Sequence, residues 1–394
     1  MQRFFPHFRR RHAECLIKKH ERSHLLPGLG GGDSGPFRNR GFGLIQNRRT
    51  PANPSKGFAA RGFAFLLVFV PSLFSLPSYA GESSARFVPP DGKVLVIVGQ
   101  NNGSFEAYVA GTKNVPAGFM TYTSVQRVEG LETPVTTAGV TQHAQALVDS
   151  QPNTVAQVGL YMVDALDGVI DGSYDTNLDH LGNWIKETKR PVFLRIGYEF
   201  DGGHNHYDPA KYIQAYRHIV DRFRKNGVEN AAYVWHSFGV PVSQPLENWY
   251  PGDSYVDWFG ISYFDQPQAM MLPMVQLAKT HHKPTMLAEC TPKGCLTAWG
   301  KGTWNSWFAP YFRFVEENHV QAICYIDDNW NSIAMWKGQN WGDARIEKNA
   351  YIQEHWLKEI QKEKYLHSSP ELFATLGYSS AEPRPPGKED GATP

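Results

Sequence analysis

Residues Pro191–His206 read P-V-F-L-R-I-G-Y-E-F-D-G-G-H-N-H. Val192, Phe193, Leu194 and Ile196 make an apolar run of strand length, bounded by Pro191 and Gly197. That is the pattern of a buried strand. Arg195 and Glu199 interrupt it, and alternation along a strand extended to Phe200 puts both on one face. Charge on a buried face is costly unless paired, so the pair points to a task. After Glu199 the chain breaks at Asp201-Gly202-Gly203-His204, and a helical pattern starts at Asp208. A carboxylate at the C-terminal end of a strand that feeds a helix is where an α/β barrel keeps its chemistry. One such pair under a loop would serve structure alone. A second stretch, Pro284–Glu289 (P-T-M-L-A-E), repeats the pattern: a short apolar strand ending in Glu.

Outward from these two stretches, eight strand-like runs follow one another: Val94–Gly99, Phe119–Thr123, Val155–Met162, Val192–Phe200, Ala231–His236, Val256–Phe264, Thr285–Glu289 and Gln321–Ile326. Helical patterns lie at Thr141–Ser150, Asn177–Lys189, Pro209–Asn226, Met271–His282, Trp304–Asn318 and Arg345–Glu363. They are weak after the first, second and fifth strands. Strands apolar throughout and alternating with helices imply a parallel sheet covered on both faces. Eight of them predict a single (β/α)8 (TIM) barrel of the α/β class over residues 81–366. An open doubly wound sheet usually carries a Gly-rich phosphate turn after its first strand, and Gly99-Gln100-Asn101-Asn102-Gly103 is not that turn.

The ends of the chain differ from its middle. Through Arg61 there are 13 Lys and Arg against 3 Asp and Glu; the remainder has 26 against 35. The barrel region is therefore acidic, which argues against nucleic acid as a partner. The basic segment runs into the apolar stretch Gly62–Ala80 and ends in Ser78-Tyr79-Ala80, a small-x-small cleavage signature. Residues 1–80 thus read as a basic leader with a secretory signal peptide at about 61–80, removed without stable membrane insertion. The mature protein is expected to be secreted or periplasmic, and monomeric. Residues 367–394, rich in Pro, Ser and Gly, read as a disordered tail. Of Cys290, Cys295 and Cys324, one pair has the opportunity to bridge in an oxidising compartment, and spacing does not choose which.

In this register Glu199 ends the fourth strand and Glu289 the seventh, facing each other across the barrel mouth. Two carboxylates there suit an acid and a nucleophile flanking a glycosidic bond. Arg195, one repeat deeper, is placed to keep Glu289 charged, and Tyr263, at the end of the sixth strand, to hydrogen-bond it. Phe200, Trp235, Tyr263, Phe264 and Trp330 cluster after strand ends, where flat rings bury the C–H faces of sugars. Trp330 is singled out because Asp327-Asp328-Asn329 before it are too polar for core. Tyr198, His204 and His236 are expected to line the same cleft. The H-x-H of His204 and His206, with Asp201, is a weak metal signal; no metal and no cofactor is expected.

The pieces R-I-G-Y-E-F-D-G (195–202), the helix 208–224, V-W-H-S (234–237), W-Y-P-G-D-S-Y-V-D-W-F-G-I-S-Y-F (249–264) and K-P-T-M-L-A-E (283–289) resemble glycoside hydrolase family 26. The resemblance implies a retaining endo-β-glycanase of the mannanase type, with Glu199 as acid/base, Glu289 as nucleophile, Tyr263 holding the nucleophile and Trp330 as sugar platform. Mannanase-type members usually place His directly before the acid/base, where this chain has Tyr198. The expected substrate is a β-mannan or a related plant or algal polysaccharide, and the departure points to a divergent branch acting on another β-glycan. The alternative is a barrel that binds carbohydrate without cleaving it.

Overall fold

The computed structural model describes residues 85–379, except 138 and 241–243. The expected leader and signal peptide, 1–80, and positions 380–394 lie outside the described residues. Eight parallel strands close on themselves: β1 (Val94–Val98), β2 (Gly118–Ser124), β3 (Val155–Tyr161), β4 (Val192–Ile196), β5 (Ala231–Ser237), β6 (Trp258–Tyr263), β7 (Thr285–Cys290) and β8 (Ala322–Tyr325). Each pairs with the next, and β1 returns to β8 in the register Leu95↔Ala322 to Val98↔Tyr325. This is the expected (β/α)8 barrel.

Strand alternation sorts the apolar residues into two cores. Leu95, Ile97, Met120, Phe193, Val234, Trp258, Met286 and Ala322 fill the interior, where Phe87 packs edge-on to Phe193. Val96, Val158, Leu194, Trp235, Phe259 and Ile323 face the surrounding helices. The longest helix, Pro209–Lys225, starts as its sequence dictates: the Asp208 carboxylate caps the Lys211 amide, with Pro209 in the first turn.

The first unit holds more helix than expected. α1 (Asn102–Thr112) follows β1 and is started by a reciprocal cap between Asn101 and Ser104. Its two glycines and lack of an apolar stripe hid it from a periodicity reading. After β5, among the described residues, only a 3-10 turn, Leu246–Trp249, stands where a barrel helix would be. Order also extends beyond 366, correcting the start of the tail: His367 bridges to Pro116, and Leu372 and Leu376 are buried in the interior core cluster. Cys290 and Cys324 sit on neighbouring strands but in opposite cores, the outer and the inner, which excludes a bridge between them here.

Candidate active site

Both carboxylates reach the mouth, by different means. β4 ends at Ile196 rather than Phe200, so simple alternation does not carry Glu199 there. Two left-handed residues do, Gly197 at φ 55° and Glu199 at φ 53°. Gly197 has no room for a side chain: a Cβ would lie 2.6 Å from Met162 and 2.9 Å from Tyr212. Glu199 pays backbone strain for its position, as residues at working sites often do. The buried Asn205 amide clamps the turn, donating to the carbonyls of Tyr198 and Glu199 at 2.9 Å each.

Glu289 arrives by a bulge. Against β6 the register steps from Ile261↔Leu287 to Ser262↔Glu289; against β8 it steps from Ile323↔Leu287 to Tyr325↔Cys290. β7 carries one extra residue at Ala288–Glu289. Ala288 packs inside the barrel, and by alternation Glu289 would then face outward. The extra residue turns it back in.

Inside the mouth Glu289 meets the fully buried guanidinium of Arg195, and the Tyr122 hydroxyl donates to its Oε1 at 2.9 Å. The rings of Tyr122 and Tyr198 flank that guanidinium at 5.0 and 5.1 Å. Gly159 on β3 makes the space: a Cβ there would lie 2.6 Å from Tyr122 and 2.9 Å from Arg195. Burial pushes the Glu289 pKa up, Arg195 pulls it down, and Glu199 pushes it up again, for a net rise. The Arg195 guanidinium is held above its ordinary pKa despite burial, by Tyr122 and Glu289. It stays cationic and needs an ionised Glu289 beside it.

Glu199 is bonded on both oxygens. Ser262 Oγ donates to Oε1 at 2.5 Å, and His204 Nε2 lies 2.9 Å from Oε2. His236 Nε2 is 3.0 Å from Ser262 Oγ, and its Nδ1 is 3.3 Å from Arg195. Burial, then the charge of Arg195, drives the His236 pKa well below its ordinary value, so it is neutral. One continuous polar chain thus joins the two carboxylates: Glu289, Arg195, His236, Ser262, Glu199.

Several expected site residues lie elsewhere. Tyr263 does not touch Glu289. It alternates with Ser262, points out of the barrel among Trp307, Tyr311 and Phe314, and accepts from Gln268 at 2.7 Å. Tyr122 takes its place. Trp235 alternates with inward His236 and is fully buried, stacked on Phe200 at 4.6 Å and far from being an open platform. His236, fully buried, is a link in the chain beneath the carboxylates rather than a cleft wall. Trp330 lies past β8 as expected but is only 4% exposed. Trp341 stacks on it at 4.7 Å, and the Trp330 Nε1 donates to Thr291 at 3.2 Å. Asp201 accepts from Ser237 and the Phe238 amide at 2.6 Å each, and burial pushes it up to about 6. His206 bonds the Gly203 carbonyl, so the H-x-H pair diverges. Among the described residues no cluster of three or more His, Cys, Asp or Glu is placed to hold a metal.

Sequence reasoning missed Tyr122 and Ser262. The signal was there: Tyr122 follows inward Met120 by two, and Ser262 follows inward Trp258 by four.

Two carboxylates over the mouth of a (β/α)8 barrel are the arrangement that glycoside hydrolases use. The profile of Glycosyl hydrolase family 26 matches residues 137–323. A β-1,3-xylanase of an Alcaligenes species is 31% identical over 342 residues, covering 79% of this chain and 72% of that protein. β-1,3-xylanase TXYA of a Vibrio species is 31% identical over 346 residues, covering 80% and 75%. The fold is shared with a family 26 β-mannanase from Bacteroides ovatus (TM-score 0.51, 13% identity, 72% of this chain, 93% of that one). The chain belongs to glycoside hydrolase family 26.

Proposed function

We propose that this protein is a secreted retaining endo-β-1,3-xylanase. In the first step the Glu289 carboxylate attacks the anomeric carbon as the Glu199 carboxylic acid protonates the leaving oxygen, and a glycosyl ester forms on Glu289. In the second step Glu199 takes a proton from water, the water oxygen attacks the same carbon, and Glu289 leaves. The observation that carries this reading is the environment of the two acids. Glu289 is pinned to a buried cation that favours its charged form; Glu199 is held by a hydroxyl and a titratable imidazole beside solvent. Two carboxylates in unlike surroundings are how one site runs nucleophile and acid chemistry together.

The choice of xylan over the β-1,4-mannan expected from the resemblance is supported by the two relatives named for β-1,3-xylan. It is supported also by Tyr198. With Tyr122 and Tyr161 it makes an aromatic wall, ring centres 5.4 and 6.5 Å from its own. A pentose lacks the exocyclic hydroxymethyl of mannose, so it needs less room beside such a wall. Secretion rests on the leader sequence, residues 1–80. The test is a panel of β-1,3-xylan, β-1,4-xylan, β-1,4-mannan and β-glucan, with and without Glu289→Ala. Release from β-1,3-xylan abolished by the substitution supports the proposal; binding without release supports the non-catalytic alternative. N-terminal sequencing of secreted protein starting after Ala80 supports the leader.

A further inference from the structure

Hydrogen-bond valence orients the whole chain between the carboxylates. Arg195 can only donate, so His236 Nδ1, 3.3 Å away, accepts. Neutral His236 then carries its proton on Nε2 and donates to Ser262 Oγ at 3.0 Å. The Ser262 hydroxyl has one proton, and it goes to Glu199 Oε1 at 2.5 Å. From the buried cation to Glu199 every donor points the same way, while toward Glu289 the Arg195 guanidinium donates in the other direction. Oε1 is thereby an acceptor in both protonation states of Glu199. The catalytic proton is left with Oε2, the oxygen that faces His204 Nε2 at 2.9 Å.

We infer that His204 is a positioning residue that stores the acid's proton: one proton is shared between Glu199 Oε2 and His204 Nε2, and passes to the leaving oxygen through Glu199. This rests on the double-displacement reading above. The imidazole is suited to the task. Its side chain is 34% exposed, so it exchanges protons with water, while Glu199 is nearly closed off at 9%. It sits on the Gly202-Gly203 turn with its ring edge-on to Phe238 at 5.4 Å. The groups facing it are Glu199, Glu289 and Asp201, all acidic. Burial disfavours its cation, but the bond and charge of Glu199, then the charges of Glu289 and Asp201, outweigh that and raise its pKa. At rest the proton lies on His204 Nε2, 2.9 Å from Glu199 Oε2. When a sugar oxygen arrives, the proton moves from Nε2 to Oε2 and on to that oxygen as the C–O bond breaks toward it. In the second step the proton taken from water returns to Oε2 and is shared again, so the cycle is balanced.

The sign of the pH effect follows. Activity is lost at high pH when the shared proton leaves, and His204, raised above its ordinary value, sets that limb. His204→Gln keeps a hydrogen-bond donor on Oε2 but cannot store a proton. We expect it to move the alkaline limb of kcat/KM to lower pH. It should cut xylan turnover at pH 7 by about 10²-fold, the lower end of general-acid contributions. An aryl xyloside, whose leaving group needs no proton, should lose less than about tenfold by the same logic. Parallel losses on both substrates with an unmoved alkaline limb would assign His204 a merely structural role and overturn the inference. Glu289→Ala, run beside it, separates the two levels: if that variant stays active, the double-displacement reading fails rather than this one.

Discussion

The two strands that bear the carboxylates solve one geometric problem in opposite ways. β4 stops early and delivers Glu199 on a strained left-handed turn beside a half-open imidazole. β7 runs on and swings Glu289 inward with one extra residue, onto a guanidinium sealed from water. Under the reading proposed above, the first arrangement leaves a proton free to come and go, and the second fixes a charge where attack would start. In the proposed reaction the same side-chain chemistry takes two roles because the backbone gives it different partners, a buried guanidinium for Glu289 and a hydroxyl and an imidazole for Glu199.

The sharpest way to break this contrast is to remove the fixed charge. Glu289→Ala should lower kcat on β-1,3-xylan by at least about 10⁴-fold, on the scale of losing an enzyme nucleophile, with substrate binding retained by calorimetry. Trp235→Ala probes the outer core instead of the mouth. It should cost about 3–5 kcal/mol of stability in denaturant melts, as truncating a buried Trp does, without changing which polysaccharide is cleaved.

Tyr122→Phe deletes the charge-assisted bond to Glu289, typically about 1.5–3 kcal/mol, and should cost about 10- to 100-fold in kcat. It should also shift the acid limb. Glu289 must be ionised to attack, and its pKa is already raised by burial and by Glu199 against the pull of Arg195. Activity therefore falls as pH drops through a value above the ordinary glutamate range, and losing the Tyr122 donor should move that limb further up. Tyr263→Phe is the matching control. It removes a hydroxyl that accepts from Gln268 in the helix layer and should cost less than about 1.5 kcal/mol in stability, with kcat and the acid limb unmoved.

What the sequence revealed divides along the same line. Apolar runs and their alternation with helices made the barrel and both glutamates legible, and one strand repeat was enough to place Arg195 against Glu289. The aromatics failed where parity was decisive. Tyr263 and Trp235 stand one residue from inward Ser262 and His236, and a slip of one along a strand changes the core a side chain joins. Trp330 was taken for an open platform because its neighbours are polar; Trp341 and Trp336, farther along the same loop, cover it. The bulge in β7 was invisible because nothing in P-T-M-L-A-E marks where pairing steps. It appears only against two neighbouring strands.

The account stands on Glu289 taking the sugar. The enzyme quenched during slow turnover of a 2-fluoro-xylosyl donor and digested for mass spectrometry should carry one sugar on the peptide containing Glu289, and none after Glu289→Ala. A label on Glu199, or complete hydrolysis with no covalent adduct and inverted anomeric product, would contradict it.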